Sequence, residues 1–356
     1  CKTGDWMKGN QQRRMANNSA VFLRGKDEDK DRFIKLFDYM KAYGEPGFFF
    51  TNDLDHGCNP CGEINLCPVH PGTFEVGFQM CNLTEINGKK IKTREDFIKV
   101  AKAAAFIGTL QASYTYFPYL GRVTEEICRH EALIGVGITG IQNSATCRDP
   151  EAQREAALAV VAENVRVAKL IGINPASRCT TVKPSGTLSQ LLDCGSGIHG
   201  DESHVFIRRI TANKLEPVYQ HFKRINPHMC QDSVYNTGDA VIEFPVARDK
   251  ETRVKSSYTT IEFMDFIYQT YNNWIRPGSD HDNNRIKGTH NVSCTVNVKE
   301  GEWGRVAEYA WENRYNTNAM AFFPYDDSRY PQTPREPVVD EAGQAYWNRL
   351  AQGYKP

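Results

Sequence analysis

The sequence has no excess of charge. Its 43 Lys and Arg residues are matched by 43 Asp and Glu over 356 positions, which excludes a global field drawing the chain to a nucleic-acid polymer or a membrane surface. Any anionic ligand must therefore be recognised locally. No apolar run approaches the roughly 20 residues of a membrane span, and the charged start, Cys1-Lys2-Thr3-Gly4-Asp5, is not a secretion signal. These absences predict a cytoplasmic protein. There is no internal repeat, no low-complexity linker and no G-x-x-x-x-G-K-[ST] phosphate loop. Cysteine is not scarce, but the 11 present are odd in number and too thinly spread for a secreted disulfide scaffold. Most are expected to be reduced, small apolar residues. The chain begins at Cys1 rather than Met, which raises the expectation of a piece of something longer.

What is present reads as alternating strands and helices, and the length suits one large α/β domain. Residues 17–24 read as a strand. Residues 29–43 carry Phe33, Ile34, Leu36, Phe37 and Met40 at helical spacing until Gly44 and Pro46 stop them. Thr93 with Asp96 opens a helix running to about residue 113. A Gly-punctuated apolar stretch covers 132–138, an Ala-rich helix 150–171, and a short strand Cys179 to Val182. Further strands are expected at 204–211, 240–244, 291–298 and 319–323, with helices at 259–275 and 302–314. The tail from Ser328, with prolines at 331, 334 and 337, reads as an extended surface strap.

Three stretches carry chemistry. In Asn59-Pro60-Cys61-Gly62-Glu63-Ile64 a thiol stands two residues before a carboxylate. A thiyl radical is a suitable hydrogen-atom abstractor because S–H and activated sugar C–H bonds have similar strengths, and a carboxylate beside it can take a hydroxyl proton. The second stretch is Cys81-Asn82-Leu83-Thr84-Glu85-Ile86-Asn87. A competing reading is structural zinc, since Cys58 and Cys61 form a C-x-x-C and Cys67 and Cys81 follow, although the second half lacks a paired C-x-x-C. The third is a strand running into Lys183-Pro184-Ser185-Gly186-Thr187-Leu188-Ser189-Gln190 and a helix. Free N–H groups at such a turn cradle an anion, and hydroxyls of Ser185 and Thr187 add donors. An ordinary helix cap is the plainer alternative.

Taken in order, these stretches resemble the finger loop, reducing-thiol strand and substrate-phosphate loop of ribonucleotide reductases. The similarity continues through Gly195-Ser196-Gly197-Ile198-His199, Ile207-Arg208-Arg209, His290-Asn291-Val292-Ser293 and Phe322-Phe323-Pro324-Tyr325-Asp326-Asp327. It implies a ten-stranded α/β barrel of two half-barrels with the Cys61 loop threaded through its centre, where burial would shield a radical. It also implies roles. Cys61 abstracts the 3′-hydrogen, Glu63 accepts the 3′-hydroxyl proton, Asn59 bonds the sugar hydroxyls and Cys81 is one of the reducing thiols. Pro184, Ser185, Gly186, Thr187, Leu188 and Ser189 hold the substrate phosphates. No metal ligands are implied, and the remaining cysteines, Cys58 and Cys67 among them, keep an inert reading.

The family's classes differ in how the radical arises. Where class I carries two adjacent tyrosines this chain has Phe322-Phe323, which lack a phenolic proton, and the tail's Gln352-Gly353-Tyr354 lacks the arginine of a class III glycyl-radical segment. The resemblance is therefore to class II, with adenosylcobalamin as cofactor, a ribonucleoside di- or triphosphate as substrate, and thioredoxin or a similar dithiol as reductant. It assigns residues 1–327 to a catalytic barrel lacking N-terminal elements, with an N-terminal part of the same enzyme as a further partner. Residues 328–356 remain the strap. The family's partner for Cys81 lies upstream of the segment corresponding to Asn10–Arg14, and Cys1 is too close to it to serve. The alternatives are a class I large subunit needing a separate radical-generating subunit and a zinc-stabilised binding module.

Overall fold

Helix ends in this protein form where the sequence writes caps. In the computed structural model, which describes residues 6–16, 18–279, 288–325 and 331–355, helix Arg94–Ala112 starts at Thr93, whose side chain accepts from the Asp96 N–H at 3.1 Å. Helix Pro150–Ile171 starts at Asp149 with proline in its first turn and ends at Gly172, whose φ of +74° only glycine adopts easily. The two helices pack on each other, and the buried positions of each are rich in small residues, Ala101, Ala104 and Ala105 in one and Ala152, Ala156 and Ala157 in the other, while Gly108 lies against Ile134. Asn164 crosses between them, donating to the Thr109 hydroxyl at 2.8 Å, so its buried amide is satisfied.

The strands, in chain order, are β1 Ser19–Leu23, β2 Gly47–Thr51, β3 Gly57–Cys58, β4 Asn65–Leu66, β5 Leu83–Asn87, β6 Gly135–Thr139, β7 Val205–Asn213, β8 Cys230–Asp232, β9 Asp239–Ala247, β10 Thr295–Val298, β11 Ala319–Pro324 and β12 Arg335–Pro337. The chain divides into two compact units, one holding the residues up to His199 with Thr259–Tyr325, the other Gly200–Tyr258 with residues 331–355.

In the first unit β5 pairs with β6 in parallel, Val136 of β6 bridges in parallel to Thr180, and Val182 bridges in parallel to Val292. The chain then runs from Val292 into β10, which pairs in parallel with β11. β11 meets β2 antiparallel, and β2 pairs in parallel with β1. Two sets of parallel strands thus face in opposite directions across the β11–β2 junction. These are the pairings among the described residues, and they do not by themselves trace a ring of ten. An aromatic core sits beneath β1 and β2: Phe22, Phe33, Phe37, Phe48, Phe50 and Phe322 are all 2% exposed or less, with Phe33 and Phe48 centroids 4.5 Å apart. Each such ring removed from water is worth about 1.5–3 kcal/mol.

The second unit is an antiparallel sheet in the order β12-β7-β9-β8. Strands 204–211 and 240–244, expected inside one barrel, belong to it as β7 and β9. The tail corrects the reading as an extended strap. Residues 335–337 form edge strand β12, where proline costs no ladder bond, and Glu341–Gly353 is a helix capped by Asp340. Its apolar positions Tyr346, Trp347 and Leu350 have helical spacing and pack on Ile207 and Met229. The cluster of prolines before it masked that pattern. Among the described residues no helix is long and apolar enough to cross a membrane.

Candidate active site

Strands β3 and β4 make a short hairpin whose tip is the thiol–carboxylate stretch. The Asn59 N–H donates to the Ile64 carbonyl at 3.2 Å and the Gly62 N–H to the Asn59 carbonyl at 2.9 Å, closing a tight turn. Gly62 has φ +75°, a conformation that only glycine takes without strain. The Asn59 side-chain oxygen accepts from the Ile64 N–H at 3.0 Å, leaving its NH2 group to serve a ligand.

The tip is fixed through its carbonyls. The Glu63 carbonyl accepts from the Asn291 N–H at 3.0 Å and the Thr181 hydroxyl at 2.8 Å. The Gly62 carbonyl accepts from Asn291 Nδ2 at 3.1 Å, and the Cys61 carbonyl from the Ser293 hydroxyl. Below them His290, fully buried, accepts from the Asn65 N–H through Nδ1 and reaches the Ile134 carbonyl through Nε2. Burial pushes its pKa down to about 3, so it is a neutral structural ring.

Glu63 is 2% exposed and its Oε2 is buried without a hydrogen-bond partner. Its charge bears on Cys58, Cys61 and Cys81 together, and Cys61 also acts on Cys81. Loss of surrounding water, then the Glu63 charge, raises the Cys61 thiol and pushes Cys81 up to about 11. Lys183 opposes this at Cys61. At neutral pH these cysteines therefore carry S–H, the form that can give and receive a hydrogen atom.

Segment Lys183–Ser189 makes the neighbouring turn. Ser185 takes the left-handed conformation at φ +48° and caps the short helix Gly186–Leu191 without a side-chain bond to it. Its hydroxyl donates instead to Glu85 Oε1 at 2.9 Å. Ser189 is buried and returns its hydroxyl to the Gly186 carbonyl at 2.9 Å. The Ser196 hydroxyl donates to the Pro184 carbonyl, and Gly197 lies so close that a Cβ there would meet the Lys183 carbonyl oxygen at 2.5 Å. Gly186 and Thr187 are exposed, with open space above Gly186. The first-turn N–H groups of Gly186, Thr187 and Leu188 lack intrahelical acceptors, and the Thr187 hydroxyl accompanies them.

The structure thus brings Cys61, Glu63 and Cys81 into one electrostatic neighbourhood, with Asn59 bonded to Ile64 on the same hairpin, and links it through Thr181 and Lys183 to the segment that leads into the Ser185 turn. Two details differ from expectation. Cys61 is exposed, not buried, because the hairpin tip turns Glu63 inward and leaves the cysteine two residues earlier outside. Ser185 spends its hydroxyl on Glu85, so the donors left for an anion are mainly main-chain. The rival zinc set is not assembled: among the described residues no three His, Cys, Asp or Glu side chains are grouped as a metal cage. Glu85, Lys183, Asn291 and Ser293 shape the site although the motifs alone gave them no role. Each lies within one of those motifs, and the alternation Cys81, Leu83, Glu85 already placed Glu85 on the same strand face as the thiol.

The fold has a solved counterpart. The solved structure of a B12-dependent class II ribonucleotide reductase superposes with a TM-score of 0.78 at 21% identity, covering 98% of this chain and 52% of that one. The chain is similar in sequence to the adenosylcobalamin-dependent ribonucleoside-triphosphate reductase of Lactobacillus leichmannii, with 25% identity over 88% of its own length. It is 26% identical over 86% of its length to the enzyme of the same name from Lacticaseibacillus paracasei. It spans less than half of those relatives, 44% and 41% respectively. No protein-family model matches it.

Proposed function

We propose that this chain carries the chemistry of ribonucleotide reduction to 2′-deoxyribonucleotides, with adenosylcobalamin as cofactor and, as in the names of its relatives, a ribonucleoside triphosphate as substrate. The observation that carries this reading is the pairing of a protonated thiol, Cys61, with Glu63, whose buried Oε2 lacks a partner, on one rigid hairpin. The residues fit what the cofactor would have to do, since Cys61 sits at an exposed tip, open to a bound group, with its S–H intact. When bound, adenosylcobalamin supplies the organic radical that removes the Cys61 hydrogen atom.

The chain's own residues do the rest. Cys61 takes the 3′-hydrogen of the ribose while Glu63 Oε2 receives the 3′-hydroxyl proton and the Asn59 NH2 group orients the hydroxyls. The 2′-hydroxyl leaves as water with a proton from one of the two reducing thiols, and Glu63 later returns its proton to the 3′-oxygen. Cys81 and a second thiol deliver two electrons and become a disulfide, Cys61 returns its hydrogen atom, and an external dithiol, thioredoxin or similar, resets the pair. The triphosphate rests on the N–H groups of Gly186, Thr187 and Leu188. In this reading the parallel strand sets belong to a ten-stranded barrel with the Cys61 hairpin as its finger, and what binds over the tip supplies the shielding the tip lacks. The class I alternative is disfavoured by Phe322, locked in the aromatic core, and Phe323, neither of which carries a phenol.

The test mixes the full-length protein with adenosylcobalamin and a ribonucleoside triphosphate and looks by paramagnetic resonance for an organic radical coupled to cobalt. Such a signal, lost in Cys61→Ser, supports the reading. Its absence, with stoichiometric zinc bound instead, would favour the binding-module alternative.

A further inference from the structure

Glu85 has no role in the reaction sequence above, yet the fold prepares a place for it. It lies on β5 directly opposite Gly137 of β6, and a Cβ at position 137 would sit 2.5 Å from its Oε2. Only glycine there leaves the notch that its carboxyl occupies. One carboxyl oxygen accepts from Ser185, and the other, Oε2, is buried with no partner. The charged groups that bear on it are Lys183, on the strand leading into the turn, and Glu63, on the hairpin; Gly137 brings none. Burial pushes Glu85 up to about 7, outweighing the Ser185 bond and the Lys183 charge, with Glu63 adding to the rise.

We propose that Glu85 is a positioning residue for the phosphate turn, holding Ser185 in its left-handed conformation and making phosphate binding there depend on a proton carried by its own carboxyl. This rests on the reading of Lys183–Ser189 as the substrate-phosphate loop. In its neutral form Glu85 keeps the bond to Ser185 through one oxygen, adds no negative charge beside the ligand, and has a second oxygen able to donate. In its ionised form it stands as an anion beside an anion. The phosphate's own charge favours the neutral form further, so binding above neutral pH takes up a proton from solvent at Glu85. Affinity is highest below the Glu85 pKa and falls as pH rises through about 7.

The experiment measures binding of inorganic tripolyphosphate to the full-length protein by calorimetry at pH 6 to 8.5, in buffers of different ionisation enthalpy. The same titrations are made on Glu85→Gln and Glu85→Ala. The wild type should take up a proton on binding at pH 8 and lose about tenfold in affinity per unit above the pKa. Glu85→Gln keeps an acceptor for Ser185 and a donor in place of the proton. It should hold the low-pH affinity with a flat profile and no proton uptake, whereas Glu85→Ala should bind weakly at every pH. A wild-type profile in Glu85→Gln, or wild-type affinity in Glu85→Ala, overturns the proposal while leaving the reductase reading standing. Proton-linked binding in a protein that reduces no ribonucleotide would do the reverse. Failure of the wild type to bind tripolyphosphate overturns the proposal together with the phosphate-loop assignment.

Discussion

The Cys61 hairpin and the Ser185 turn are held by opposite means. At the hairpin tip the carbonyls of Cys61, Gly62 and Glu63 are all taken up by Ser293, Asn291 and Thr181, while the thiol and the Glu63 carboxyl end stay uncommitted. At the turn the side chains of Ser185, Ser189 and Ser196 are the ones tied down, and the first-turn N–H groups stay uncommitted. Each region is anchored by the atoms it does not need. This division suits the proposed function, in which radical and proton transfer needs side chains available and anion binding needs main-chain donors available.

Breaking the hairpin's free side chain should have the largest effect. Cys61→Ser should lower turnover of the full-length protein by at least about a thousandfold while leaving its melting temperature nearly unchanged, since an exposed residue contributes little packing. A stable fold with retained turnover would sink the thiol's role. Breaking the hairpin's anchor comes next. Asn291 also donates to the Ala319 carbonyl at 2.9 Å and accepts from the Asn318 N–H at 3.0 Å, so Asn291→Ala should cost about 2–4 kcal/mol in urea denaturation, along with much of the turnover. Equal stability of variant and parent would show that the hairpin does not depend on this anchor.

The turn can be probed by a pair of glycine substitutions with contrasting outcomes. Gly137→Ala drives a methyl into the Glu85 carboxyl and should cost about 1–3 kcal/mol, because that side chain must leave its notch and release Ser185. Gly186→Ala has open space and a helix-compatible position, so its stability should change by less than about 1 kcal/mol, with only a raised KM for the nucleotide. A loss of stability at position 186 matching that at position 137 would erase the distinction between a packed notch and an open cradle.

Much of this contrast could be read from the residues. The thiol–carboxylate spacing, the Thr93 cap, the Gly44 stop and the apolar run that becomes β6 are local signals, and local signals survive in a single sequence. What escaped depended on partners distant in the chain. The Glu85–Gly137 pairing exists only through the register of β5 on β6, and the anchoring of the Cys61 carbonyl by Ser293 through the placement of a strand far downstream. The outward position of Cys61 follows from which face of a hairpin turns inward, which spacing alone leaves undetermined. The tail helix was hidden by composition: three prolines ahead of it suggested extension, although Tyr346, Trp347 and Leu350 already lay on one side of a helix.

The run from His290 to Ser293 has a consequence for how this protein can change. The Val182 N–H donates to the Asn291 carbonyl at 3.1 Å, the Ser293 N–H to the Val182 carbonyl at 2.8 Å, and the same few residues grip the hairpin through Glu63, Gly62 and Cys61. Adding or removing one residue there would turn Asn291 and Ser293 to the opposite side and unfasten the hairpin and the segment leading into the Ser185 turn at once. Its length is therefore frozen even where its composition can drift, so a designer transplanting these loops into another scaffold must carry this tetrapeptide with them, uninterrupted.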